Sequence, residues 1–521
     1  MSIVHASTLP DEELPEVSIT DYVLRYADER PDTPALIEGP TGRVVTFGEF
    51  KDTVARLAGG LQAKGFGPGS TLALVAPNMP EYAIVFHGVA RAGGTVTTVN
   101  PVYNADEIRH QLIDSGATIA IALDASIETV QAAVEGTSVT EIYSIGDADG
   151  VERYETLLGD PIEQVPVDVH ESVVVLPYSS GTTGLPKGVM LTHFNLVANL
   201  AQSKPALNYV EGDVALAALP FFHIYGMQVL MNGILAEGCG VITLPRFDLP
   251  LALSLIQDHK VTAFYAVPPM VLAFAKQPMI DDYDLSSLKF IFSGAAPLGA
   301  ELSDECEARV GCPVIQGYGM TELSPITHAT IIGDQKAGSV GVTMANTSIR
   351  IVNDDGEDQG VDSEGELWIQ GPQVMKGYLN NPTATADTID EDGWLHTGDV
   401  AKIDADGHVY IVDRVKELIK YKGFQVPPAE LGALIISHPA IADVAVIGVD
   451  DQEAGELPKA FVVLKPGEEA TAEQIMDFVA EQVTSYKKIR MVEFRDEIPK
   501  SASGKILRRF LRDEERAKRA Q

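Results

Sequence analysis

A chain of 521 residues is too long for one ordinary hydrophobic core, so two or more domains are expected. Hydrophobic residues make up 45% and charged residues 21%, apolar content that excludes a disordered chain. The 38 Lys and Arg against 74 Asp and Glu leave a formal net charge of -36, which excludes nucleic acid and anionic membranes as main partners.

The stretch from Met1 to Pro15 is polar and acidic, without a basic start or an apolar centre, so no signal peptide is expected. Short β-branched runs then alternate with helix-period segments. Strands are predicted at Thr71–Val75, Thr95–Val99, Ala117–Leu123, Val173–Tyr178, Val214–Leu219, Val241–Leu244, Val261–Tyr265 and Lys289–Phe292. Helices are predicted at Phe47–Lys64, Pro80–Ala92, Ala105–Asp114, Phe194–Ala201 and Ala300–Val310. This alternation, with near-continuous apolar strands, predicts an α/β fold with mostly parallel sheets. From about Ser339 the texture changes to short strands at Ser348–Val352, Gly365–Gln370 and His408–Val412, separated by Asp/Gly turns. That pattern predicts a small β-barrel-like subdomain over about 339–412, completing a large N-terminal domain of residues 1–412. Beyond it, a helix at Pro427–His438, strands at Asp443–Val449 and Ala460–Leu464 and a helix at Thr471–Val483 predict a small α+β C-terminal domain, 413–521.

The carboxylates are spread through runs such as Asp354–Asp358, Asp387–Asp392 and Asp450–Glu456. A generally acidic soluble protein explains them; adaptation to high salt, where screening relieves self-repulsion, explains them better. Cys239, Cys306 and Cys312 have no metal-site spacing, and their odd number argues against a disulfide framework, so a reducing compartment is expected. No apolar run is long enough to span a bilayer, and the ending Lys518-Arg519-Ala520-Gln521 carries no retention or peroxisomal address. A cytoplasmic protein is expected.

The strongest local signal is Ser179-Ser180-Gly181-Thr182-Thr183-Gly184-Leu185-Pro186-Lys187-Gly188, which follows one apolar strand and precedes another, Val189–Leu191. Three glycines, four hydroxyls and a lysine on a tight turn can present N–H groups, O–H donors and a cation to phosphate oxygens. It is not a P-loop, because Pro186 replaces the glycine before the lysine and Gly188 replaces Ser/Thr after it. A Ser/Gly/Thr cluster alone would be read as a polar hairpin; ten residues in this order are far more specific.

The string resembles the phosphate loop of the adenylate-forming superfamily of acyl-CoA synthetases, peptide-synthetase adenylation domains and luciferases. Further blocks follow in the family's order: Phe221-Phe222-His223-Ile224-Tyr225-Gly226, Ser293-Gly294-Ala295-Ala296-Pro297-Leu298 and Gln316-Gly317-Tyr318-Gly319-Met320-Thr321-Glu322. Then come Gly393-Trp394-Leu395-His396-Thr397-Gly398-Asp399, Asp413-Arg414-Val415-Lys416-Glu417-Leu418-Ile419-Lys420-Tyr421-Lys422-Gly423 and Pro499-Lys500-Ser501-Ala502-Ser503-Gly504-Lys505. Within the superfamily the chain looks most like 4-coumarate:CoA ligases and fatty acyl-CoA synthetases.

The resemblance implies ATP, Mg²⁺ and coenzyme A as cofactor and co-substrates, and roles for matching residues. Ser179, Ser180, Gly181, Thr182, Thr183, Gly184 and Lys187 would hold phosphates. Tyr318, with Gln316, Gly317 and Gly319 beside it, would stack on adenine, with Ala295 and Ala296 on another side of the base. Thr321 would donate to the α-phosphate and Glu322 would hold Mg²⁺, although a glutamate there also suits a helix cap. Asp399 would accept from the ribose hydroxyls with Arg414 nearby, although an Asp after Gly is also ordinary turn chemistry. His223, which in an apolar run is by default structural, would line the acid pocket and position the carboxylate.

Lys505 would be the catalytic lysine of adenylation, where Lys500 reads as a surface residue. The resemblance makes the C-terminal domain mobile, with Lys416 as its hinge and Lys420 presented in the thioester-forming state. Lys422 and Gly423 would flank the CoA tunnel. Arg246 stands where 4-coumarate:CoA ligases often carry a lysine near the CoA phosphates, and Gln370 replaces a frequent arginine. The acid pocket is expected near His223, Tyr225, Gly226, Val229, Leu230, Ser293, Ala295, Gly317, Gly319 and Met320. These residues are small or apolar and offer no base to a second carboxylate, so a fatty or aryl monocarboxylic acid is expected. The expected activity is AMP-forming acid–thiol ligation, giving acyl-AMP and then acyl-CoA. Alternatives are a 4-coumarate-type aryl-CoA ligase, an enzyme loading a carrier protein in trans, a luciferase-like oxidase, and a non-catalytic nucleotide-binding relative. A homodimer remains open.

Overall fold

The computed structural model describes residues 3–179, 186–207, 209–422, 424–451, 453–501 and 504–519. The β-branched runs of the first three quarters build two nine-stranded sheets. In the first, Thr71–Val75 lies between Thr95–Val99 and Ile119–Leu123; Val173–Leu176 and Glu141–Ile145 extend the row, all parallel. The sheet turns antiparallel where Lys187–Thr192 pairs with Val173–Leu176 and Tyr178–Ser179. In the second, Pro34–Glu38, Gly240–Thr243, Val214–Ala217, Ala263–Ala266, Phe290–Ser293 and Val314–Gly319 are parallel, then Ile326–Ala329 and Val342–Thr343 continue antiparallel.

Helices cover these sheets, so their strands carry apolar residues on both faces. The helix Phe47–Ala63 begins on a reciprocal cap between Thr46 and Glu49, and Ala105–Ser115 on one between Asn104 and Glu107. Pro80–Arg91, started by its proline, is buried at every residue. One apolar cluster joins the two sheets, with Leu72, Leu74 and Val175 from the first and Ala217, Tyr265 and Phe292 from the second. All three cysteines are buried and unpaired, and burial pushes each thiol up to about 12.

The third sheet is a five-stranded antiparallel array in the order His5–Ala6, Ser348–Val352, Gly365–Gln370, Leu395–Ile403 and Val409–Arg414. Its inner face packs Ile349, Ile351, Leu367, Ile369, Leu395 and Val409 around Leu323. The strand predicted to end at Val412 runs to Arg414, because Asp399 and Arg414 are register partners.

The fourth sheet pairs the long strands Ile441–Asp451 and Gly455–Leu464 and adds Ile419–Tyr421, Phe424–Val426 and Met491–Phe494. The helices Pro428–Ile436 and Ala472–Ala480 bury Leu431, Ile435, Ile475 and Val479 against one face. The last helix, Arg508–Arg519, buries Leu511 with Phe461 on the other. The molecule is therefore an α/β protein with a large N-terminal domain and a small C-terminal one. No helix among the described residues is long and apolar enough to cross a membrane.

Candidate active site

The first sheet's antiparallel edge places one wall. Ser179 and Lys187 are register partners, so they stand side by side where the chain reverses between two strands. Ser180, Gly181, Thr182, Thr183 and Gly184 of the predicted phosphate loop lie outside the described residues, as do Ala502, Ser503 and Gly423. Ser179 donates through Oγ to Glu322 Oε1 at 2.9 Å, and Tyr378 donates its hydroxyl to the same oxygen at 2.8 Å. Lys187 Nζ lies 4.7 Å from the centre of the Tyr378 ring. Burial and the Glu322 charge push the Tyr378 hydroxyl up.

Glu322 follows Thr321 in a single 3₁₀ turn directly after the strand that carries Tyr318, and both Thr321 and Glu322 are buried. Among the described residues, Glu322 Oε2 accepts no hydrogen bond, so one hard oxygen stays available to a divalent cation. No group of three or more His, Cys, Asp or Glu suited to a metal occurs among the described residues. A lone carboxylate fits magnesium, which commonly takes one or two carboxylates and completes its shell with water and substrate phosphates.

Val314–Gly319 supplies a second wall. Tyr318 donates its hydroxyl to Asp399 Oδ2 at 2.6 Å, and Arg414 Nε lies 3.3 Å from Asp399 Oδ1. Thr397 Oγ1 accepts the Asp399 N–H at 3.0 Å, which fixes that turn. Burial raises the Asp399 carboxyl, against the pull of Arg414, the Tyr318 hydroxyl and Lys505. The neighbouring Ser293–Leu298 segment is tied to the same strand, because Leu298 N–H donates to Gln316 Oε1 at 3.2 Å. Within that segment Ala295 takes φ +68°, a left-handed conformation uncommon for a residue with a Cβ, and strain of this kind concentrates at ligand clamps. Ala295 and Gly319 are exposed, while Ala296, Gln316, Gly317 and Met320 are half-buried.

The predicted acid pocket lies on an unexpected element. Tyr225–Asn232 forms a π-helix, a rare geometry that recurs at functional sites. Its second residue must be Gly226, because a Cβ there would come within 2.1 Å of the Pro220 carbonyl oxygen. Tyr225 donates to the Phe292 carbonyl at 3.2 Å, and Val229 and Leu230 are buried. His223 Nδ1 accepts the Tyr225 N–H at 3.3 Å, and burial together with Lys505 lowers its pKa to about 4. The ring is therefore neutral at pH 7, with its proton on Nε2.

Lys505 comes from the other domain. Ser501 N–H donates to Lys505 O and Gly504 N–H to Ser501 O, both at 2.8 Å. A Cβ on Gly504 would lie 3.3 Å from Val267 of the large domain. Burial, then Arg414, lower the Lys505 ammonium to about 8, against the raising charges of Asp399, Glu417 and Glu322. Its ammonium makes no ion pair among the described residues.

The structure thus brings together Lys505, Arg414, Asp399, Tyr318, Glu322 and His223. It does not bring Lys416, Lys420, Lys422 or Arg246 to this cluster. Those four are exposed, and Lys422 Nζ instead lies 5.8 Å from the Tyr421 ring centre. Tyr378 went unremarked in the sequence; only the pairing of Gly377–Tyr378 with Lys187–Thr192 brings it to Glu322.

Two family models match: AMP-binding enzyme over residues 23–379 and AMP-binding enzyme C-terminal domain over 430–505. A 4-coumarate–CoA ligase of Pinus taeda is 44% identical, covering 99% of this chain and 98% of its own. 4-Coumarate–CoA ligase 3 of Oryza sativa is 42% identical, covering 98% of this chain and 94% of its own. Among solved structures, an anthranilate CoA ligase in complex with anthranoyl-AMP superposes with a TM-score of 0.91 at 27% identity, covering 98% of this chain and 99% of that one. A benzoate CoA ligase from Burkholderia xenovorans gives 0.87 at 25% identity, covering 95% and 100%. The motifs, their convergence on one cleft and these full-length matches agree: the chain belongs to the AMP-binding enzymes, the adenylate-forming superfamily, and is 4-coumarate–CoA ligase-like.

Proposed function

We propose that this protein is an AMP-forming aryl-acid–CoA ligase. The observation that carries the reading is Lys505 of the small domain standing near Arg414, Asp399 and Glu322 with no ion pair among the described residues. In the first step a carboxylate oxygen attacks the α-phosphorus of ATP and the bond to pyrophosphate breaks. Two anions must approach, and charge builds on the phosphoryl oxygens, so a positioned cation is needed where that charge develops. Lys505 is that cation. Neutral His223 donates from Nε2 to the acid, aligning it for attack. Asp399 and Arg414 hold the ribose and Tyr318 the base, while Ser179 and Lys187 flank the phosphates. Glu322 would hold a magnesium ion, which supplies further positive charge to phosphate oxygens when bound. In the second step the CoA sulfur attacks the acyl carbon and the bond to AMP breaks. Lys420, Lys422 and Gly423 serve that step after the small domain turns about Lys416.

The aryl reading rests on the relatives, whose printed names are coumarate, anthranilate and benzoate ligases. It also rests on the residues expected to meet the acid, Tyr225, Gly226 and Val229, none of which offers a base to a second carboxylate. The fatty-acid reading has no such support and gives way to it. ATP–pyrophosphate exchange over 4-coumarate, benzoate, anthranilate and saturated fatty acids, followed by mass spectrometry of CoA products, tests the proposal. Exchange and thioester with aryl acids are expected; turnover confined to fatty acids would overturn the aryl assignment.

A further inference from the structure

Three positions beyond Lys505, the last helix begins with an arginine that is tied down at once. Arg508 donates through Nη1 to Glu417 Oε2 and through Nε to the Val446 carbonyl at 3.2 Å. The pair is buried, with side-chain exposures of 14% for Arg508 and 8% for Glu417. Burial pulls the Glu417 carboxyl upward, but Arg508 and Arg414 more than offset it and leave it below the usual carboxylate range.

Glu417 sits in the strap that leads from the third sheet into the fourth. Its N–H donates to Arg414 O at 2.9 Å, so Arg508 is anchored one residue from Lys416 and three from Arg414. Asp413 braces the same strap. Its Oδ1 accepts the Arg414 N–H at 2.8 Å, and its Oδ2 accepts the Ala429 N–H at 2.7 Å, at the head of Pro428–Ile436.

The described residues on either side of Lys505 are tied to each other and to the fourth sheet. Leu507 N–H donates to Pro499 O at 2.9 Å, Lys500 and Ile506 bridge, and Lys500 Nζ holds Asp443 at 2.6 Å. Lys505 is two residues from Leu507 and three from Arg508, so what fixes the start of the last helix bears directly on the ammonium. A buried ion pair adds little net stability once desolvation is counted, but it fixes geometry, and a guanidinium does so along defined directions.

We infer that Arg508, held by Glu417, is a positioning residue that sets where the Lys505 ammonium stands against Arg414 and Asp399. It serves the adenylation step and not the thioester step. This rests on the proposed adenylation role of Lys505. Misplacing a reacting group by about 1 Å is enough to lose on the order of 10²-fold in rate, so a small rotation of the loop has a large effect.

The test uses the full chain with Arg508→Gln, Arg508→Lys, Glu417→Gln and the reversal Glu417→Arg with Arg508→Glu, beside Lys505→Ala. Two half-reactions are measured: ATP–pyrophosphate exchange with 4-coumarate as the probe acid, and CoA acylation from supplied 4-coumaroyl-AMP. Both Gln variants should lower exchange kcat about tenfold or more while acylation stays within about twofold of the parent. Arg508→Lys should recover part of the exchange, and the double reversal should exceed Glu417→Arg or Arg508→Glu alone, each measured beside it. Equal loss in both half-reactions would reduce the pair to fold support and overturn the inference. So would unchanged exchange in the Gln variants where Lys505→Ala abolishes it. Should Lys505→Ala itself spare exchange, the adenylation reading falls first.

Discussion

In the proposed mechanism Lys505 must be protonated to neutralise charge on a reacting phosphoryl group, yet its surroundings hold it at about 8. The charged form is present below that value and lost above it, so kcat/KM for adenylation should decline as pH rises through about 8. A pH profile of ATP–pyrophosphate exchange reads this directly, since kcat/KM reports groups of the free enzyme. His223, at about 4, is neutral across the same range and should add no inflection near pH 6. Lys505→Ala should lose roughly 10²–10³ in exchange rate while still acylating CoA from supplied acyl-AMP. Retention of both steps would remove the lysine from the mechanism.

At the scale of elements, the π-helix Tyr225–Asn232 and the strand Val314–Gly319 are the proposed acid and nucleotide sides of the site. Gly226→Ala would drive a methyl group into the Pro220 carbonyl, a backbone atom with little room to yield. Overpacking of this kind costs about 1–3 kcal/mol. A rise in KM for the acid with KM for ATP little changed is expected, read from initial rates with each substrate varied in turn. Parallel strands such as Thr71–Val75 and Thr95–Val99 were legible to the residue, because β-branched runs between helical segments leave little choice of register. The π-helix was not legible: an i→i+5 ladder has no composition of its own, and Gly226-Met227-Gln228 reads as ordinary buried helix. The roles of Lys505, Asp399 and Glu322 came from resemblance and not from spacing, since their meeting depends on three separate sheets. Tyr378 and the Glu417–Arg508 pair left no local signal, because each contact joins segments far apart in the chain.

Across the whole molecule, the proposed mechanism has one site serve two chemistries with two different lysines of the small domain. Lys420 is exposed here while Lys505 is in place. Lys420→Ala should therefore spare pyrophosphate exchange and depress CoA acylation, the mirror image of Lys505→Ala. The net charge of -36 acts on the same scale. Raising salt from 0.1 M to 1 M shortens the Debye length from about 10 Å to about 3 Å, so self-repulsion among surface carboxylates should fade. A melting temperature that climbs with KCl is the expected result; one that is flat or falls would leave the acidity unconnected with salt. The edge strand His5–Ala6 carries a practical consequence. It pairs with Ile349 and Ser348, and the Ile3 N–H donates to Asp358 at 3.0 Å, so residues 3–6 cover the edge of Ser348–Val352. Trimming the first nine residues, or fusing a bulky tag directly to them, would bare that rim to other chains and invite aggregation.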